Sequence, residues 1–117
     1  MAYISHTANV ILLIAVCSAL FRDAPGMADA FGPGSLARCI LACVYLSTLI
    51  ASAYALAMAA YGAPQTAVQI AIVLFPLPII YKTASAFTVG IDNPVVEANL
   101  AVVALHSVTL TTLWLKP

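Results

Sequence analysis

The chain reads as an all-α polytopic membrane protein, with four transmembrane helices in a compact bundle, and three observations predict this class. It carries four basic and four acidic side chains, 7% of its residues, against 64% hydrophobic, where roughly a quarter of an ordinary soluble domain is charged. Its mean hydropathy is +1.09. The charges fall at Arg22, Asp23, Asp29, Arg38, Lys82, Asp92, Glu97 and Lys116, leaving uncharged runs at 1–21, 39–81 and 98–115. At this length residues 1–117 form a single membrane domain. A net charge of zero gives no electrostatic reason to expect a nucleic-acid partner.

Crossing a hydrocarbon core of about 30 Å takes about 20 apolar residues at 1.5 Å each. Residues 3–21 therefore form one span. They lack a basic leader and a small-residue cleavage pattern, so this is a retained helix and not a signal peptide. Residues 22–35 follow, a loop with two prolines and three glycines, where Ser35 can cap the next helix. A continuous helix over 39–81 would be about 65 Å long, twice what a bilayer covers. The run must hold two spans, about 36–60 and 65–86, turned at Tyr61-Gly62-Ala63-Pro64. A second loop over 87–94 leads to the fourth span, about 95–115. Asp92 or Asn93 can cap it, Pro94 fits its first turn, and Glu97 suits its positive end.

Orientation follows from Lys and Arg near the span ends. Arg22, Arg38 and Lys82 sit around the two long loops, and Lys116 lies alone at the other end. This predicts an integral protein of a bacterial inner membrane or its equivalent, with both termini non-cytoplasmic. The charged residues can form a cytoplasmic ion-pair layer or remain solvated.

Within the spans, small residues recur every fourth position at Cys39, Cys43, Ser47, Ala51, Ala55 and Ala59. In lipid, close packing over small residues drives helix association, so this stripe is a packing face within the bundle or toward another protein. On the third span Phe75-Pro76-Leu77-Pro78 predicts a kink or local unwinding, because each proline removes a donor and clashes with the preceding turn.

The polar residues carry whatever chemistry exists. His6 and Asn9 share a face of the first span, Gln65 and Gln69 of the third, and Asn99, His106 and Thr109 of the fourth. With the expected topology all but Asn99 fall in the non-cytoplasmic half. Unpaired imidazoles and amides are costly in lipid, so they should turn inward to bond one another or a ligand. Two imidazoles can hold haem, although here their depths differ by roughly 6 Å at 1.5 Å per residue. His106 alone is a candidate ligand for bacteriochlorophyll, but position 102 is Val where bacterial antenna polypeptides carry Ala four residues before the histidine. Cys17, Cys39 and Cys43 can be drawn as a thiolate metal site, yet no Cys-x-x-Cys is present and buried cysteine commonly serves as a small apolar residue. No metal site and no committed cofactor are expected.

No phosphate-binding glycine loop, His-Glu-x-x-His or paired-carboxylate core appears, so an enzyme is not expected. Proton-coupled cation export is disfavoured, since residues 1–21 contain no acid to exchange a proton for a cation within the membrane. The leading expectation is a non-catalytic accessory subunit packing within a larger energy-transducing membrane complex. Its alternatives are a small homo-oligomeric transporter or channel lined by the kinked span and the His/Asn/Gln face, and a haem- or chlorophyll-binding subunit. Partners are then the bilayer and other membrane subunits or copies of itself.

Overall fold

The computed structural model describes residues 1–116 and contains helices only: α1 (Ala2–Phe21), α2 (Met27–Phe31), α3 (Leu36–Ala60), α4 (Pro64–Leu74), α5 (Pro76–Thr88) and α6 (Pro94–Trp114). Four segments, Ala2–Phe21, Leu36–Ala60, Pro64–Thr88 and Pro94–Trp114, are long and apolar enough to cross a membrane. The longest dimension is 45 Å, close to the roughly 40–45 Å of a bilayer with its headgroups. The chain is a small four-span membrane protein.

Local chemistry sets the boundaries. Ser35 Oγ accepts from the Arg38 amide at 3.2 Å, and Asn93 Oδ1 accepts from the Val95 amide at 2.8 Å, satisfying donors at the starts of α3 and α6. Proline occupies the first turn of α4 and α6, where its missing N–H costs nothing; Pro76 and Pro78, inside the third span, instead remove donors from the turn before them. The α3–α4 turn closes with Ala63 N bonding Met58 O at 2.8 Å, and Gly62 takes a φ of 88° that only glycine adopts freely.

The third span bends at Phe75 and does not unwind. Phe75 keeps helical angles (φ −70°, ψ −29°), its amide bonds Ala71 O at 3.0 Å, and its carbonyl receives Ile79 N at 3.2 Å. The bend redirects the span: α4 packs chiefly on α3, whereas α5 packs on α6. Below the bend, therefore, α5 leaves α3, and space opens between them.

The stripe of small residues is not the bundle seam. Ala55 is buried and Ala51 and Ala59 are half-buried, but Cys39, Cys43 and Ser47 are exposed. The buried face of α3 is Arg38, Ala42, Tyr45, Ser52 and Ala55. The reason is geometric: four residues turn a straight helix through about 400°, so each repeat precesses by about 40° and six positions wind off any single face. A seam that faces one neighbour alternates steps of four and three, as 38, 42, 45 do here.

The loop over 22–35 is folded back onto the bundle. Arg38, buried in α3, bonds Gly32 O at 3.0 Å and pairs with Asp23, and Asn93 Nδ2 reaches Ala30 O at 3.1 Å. These ties hold α2 across the loop end of the helices. The remaining acids, Asp29, Asp92 and Glu97, make no ion pair among the described residues, so the expected charge layer reduces to one pair.

Candidate functional site: two polar layers in the bundle

At the end of the bundle that holds the termini, side chains from all four spans meet in a buried layer. His6 Nε2 lies 3.0 Å from Ala67 O, and His6 Nδ1 3.2 Å from Ser52 Oγ. Asn9 Nδ2 donates to the same hydroxyl at 3.2 Å, and His106 Nε2 lies 3.1 Å from Asn9 Oδ1. With both rings neutral, one end fixes every proton. A carbonyl only accepts, so His6 Nε2 carries hydrogen and Nδ1 does not. The Ser52 hydroxyl then donates to Nδ1 while accepting from Asn9, and the Asn9 carbonyl takes the His106 Nε2 proton. The bonds run in one direction, from α6 through α1 and α3 to α4. Beside them the Ser5 hydroxyl donates to Thr109 Oγ1 at 2.6 Å, and Thr109 donates to Leu105 O at 3.0 Å. His106 Nδ1 alone among buried side-chain polar atoms of the described residues has no hydrogen-bond partner.

Phe75 fills the middle of this layer. Fully buried at the bend of the third span, it stacks on His106 (centroids 4.1 Å apart, planes within 2°) and meets His6 at 4.8 Å. The bend places an aromatic ring between the two helices that carry the imidazoles.

Of the expected cluster, the layer unites His6, Asn9, His106 and Thr109. Gln65 and Gln69 are outside it, exposed. The inner face of α4 is Ala67 and Ala71, and a residue two positions away lies about 200° around the helix. The first span's partner on α4, the group that His6 bonds, is thus a backbone carbonyl and not an amide side chain. Asn99 is buried but seven residues from His106, about 10 Å along the axis, and belongs to a different layer. Ser5, Ser52 and Phe75 were not singled out in the sequence, since serine and phenylalanine are ordinary residues of membrane helices.

A haem held by both imidazoles needs one nitrogen from each, and both His6 nitrogens are engaged. The free His106 nitrogen belongs to a ring only 1% exposed, which offers no open face to a pigment. Cys17 packs in the interior with Leu13, Leu20, Ala42 and Tyr45, whereas Cys39 and Cys43 lie on the outside, so the three thiols do not converge. Among the described residues no three His, Cys, Asp or Glu side chains gather as a metal-ion site.

The second layer lies toward the loop end. Lys82 of α5 is 5% exposed; its ammonium donates to Asn99 Oδ1 at 2.5 Å and sits 5.5 Å and 5.3 Å from the ring centres of Tyr45 and Tyr81. Such ring faces attract a cation within about 6 Å. Lys82 makes no ion pair among the described residues. Two clefts flank it. One of about 430 Å³ opens where α5 leaves α3, between Tyr45, Tyr81 and Ser85, with Asp29 on its wall. The other, about 350 Å³, lies between α1 and α6 beneath α2 and includes Lys82 itself.

No protein-family model, curated protein or solved structure matches the chain.

Proposed function

We propose that this protein is a non-catalytic accessory subunit that packs within a larger membrane assembly, in an inner membrane with both termini outside. The observation that carries the reading is the outer face of α3 and α4. Gln69 is exposed in a groove otherwise lined by Ala51, Ile70, Val73, Leu74 and Leu77, and Ser47, one turn of α3 before Ala51, is exposed as well. A primary amide on a lipid-facing apolar surface lacks the hydrogen bonds it would have in water, and small residues next to it permit close approach of a further helix. Among the described residues the bundle satisfies all but one of its buried side-chain polar atoms itself and leaves this exposed amide for a neighbour. Arg22, Arg38 and Lys82 near the loop end support the orientation by the excess of positive charge on the cytoplasmic side.

The test is extraction from the native membrane in mild detergent, followed by particle mass and composition. The expected result is a particle containing larger membrane subunits in fixed ratio, to which a photocrosslinker placed at Gln69 attaches. A particle made of this chain alone overturns the reading. Labelling of single cysteines introduced at positions 24–34 and 62–64 checks the orientation, with the first set expected to react from the cytoplasmic side only.

A further inference from the structure

Two charged side chains are buried, and they differ: Arg38 is paired with Asp23, whereas Lys82 has no ion-pair partner among the described residues. A buried ammonium in a membrane span is costly unless paired, and such residues are held inward by a partner. Here one donor reaches Asn99 and the cation otherwise faces two tyrosine rings. In the smaller cleft Lys82 is the only charged lining residue, and the walls are aliphatic or aromatic: Leu12 and Val16 of α1, Phe31 of α2, Val95 and Ala98 of α6. Leu12 and Ala98 are exposed on the outside of the bundle, so the cleft opens sideways toward acyl chains. Its volume falls within the roughly 300–1,000 Å³ of small-molecule sites. One end is cationic, the remainder is greasy, and the mouth faces the bilayer.

We infer that the cleft between α1 and α6 binds a single-chain carboxylate amphiphile, a long-chain fatty acid, with its carboxylate on the Lys82 ammonium and its tail leaving past Ala98. A cleft of about 350 Å³ with a single cation suits one acyl chain ending in a carboxylate better than a glycerophospholipid with a bulkier head group and two chains. Asp29, which lies on the wall of the larger cleft, repels an anion there and directs the carboxylate to the smaller one. The Asn99 side chain lines both clefts and presents its amide NH₂ as a second donor while its oxygen holds Lys82.

The experiment uses the full chain in detergent micelles and measures binding of radiolabelled palmitate, with hexadecanol and dioleoyl phosphatidate as competitors. Saturable palmitate binding is expected, and Lys82→Met should weaken it about tenfold or more, because a desolvated charge partner is lost. Ala98→Phe, a change on the outside of the bundle that leaves Lys82 in place, should weaken it comparably by filling the exit. Helical content by circular dichroism verifies that each variant is folded. Palmitate affinity unchanged in either folded variant overturns the inference, as does equal binding of hexadecanol, or phosphatidate outcompeting palmitate. The result is independent of whether the protein has a larger partner, since the isolated chain is measured.

Discussion

The two polar layers of this bundle use the same kind of material to opposite ends. The layer near the termini joins four spans through neutral groups: Asn9 and Ser52 each serve two partners, and a single direction of donation satisfies all but one nitrogen. The layer near the loops centres on a charge with one hydrogen bond, bordered by clefts instead of packed side chains. The bend at Phe75 separates them. Above it α4 closes onto α3; below it α5 departs toward α6 and leaves room around Tyr45 and Tyr81. The difference teaches that a saturated polar network identifies a fastening, whereas an under-coordinated charge beside open volume identifies a place for something else.

Substitutions can break that contrast, and the largest effect is expected at Phe75. Phe75→Ala removes a fully buried ring that contacts both imidazoles and should cost about 3–5 kcal/mol through the cavity it leaves. Reversible unfolding in mixed micelles measures this. Asn9→Leu keeps the volume but strands the His106 Nε2 donor and removes a donor from Ser52. A loss of about 2 kcal/mol is expected, within the range for stranding a buried polar group. The same assay returning no loss would show that the layer does not fasten the helices.

Lys82→Met should behave differently. Lys82→Met removes the cost of a desolvated ammonium, and the Asn99 it leaves without a donor borders both clefts, so the two effects offset and the isolated chain should change by less than about 1 kcal/mol. A loss as large as that of Asn9→Leu would place Lys82 among the fasteners and erase the distinction between the layers. The smallest effect belongs to Gln69→Leu, on the outer face: within about 0.5 kcal/mol for the isolated chain, as for exposed positions generally. Its effect should appear instead as loss of co-purifying subunits from native membranes.

Much of the fold was legible because charge is so scarce. Eight charges bracket the spans, and Gly62, Pro64 and Pro94 mark turns by their backbone chemistry alone. His6, Asn9, His106 and Thr109 were legible as an inward face because polar groups cannot be left in lipid. Gln65 and Gln69 depart from that rule: Gln65 stands at the very end of its span, Gln69 faces outward in an apolar groove, and which face of α4 turns inward is decided by how closely Ala67 and Ala71 let it approach α1 and α3. Ser52 and Phe75 carried no signal, since neither composition nor spacing distinguishes them from other serines and phenylalanines. The sequence places Lys82 near the end of the third span, where it counts toward orientation and gives no sign of burial. Its burial arises from tertiary structure, because the bend at Phe75 carries that turn of α5 against α6 and Asn99.

The division between a fastening layer and a binding layer is tested most directly by the change in melting temperature that palmitate produces in three forms of the protein. A ligand that binds only the folded state raises its stability by RT ln(1 + L/Kd), L being its free concentration, so at a fixed concentration the shift reports affinity. At one palmitate concentration near the parent Kd, the melting temperature of the parent chain and of Asn9→Leu should rise by similar amounts, although the latter starts lower, and that of Lys82→Met, itself undiminished, should rise far less. A palmitate shift retained in Lys82→Met, or abolished in folded Asn9→Leu, would contradict the account.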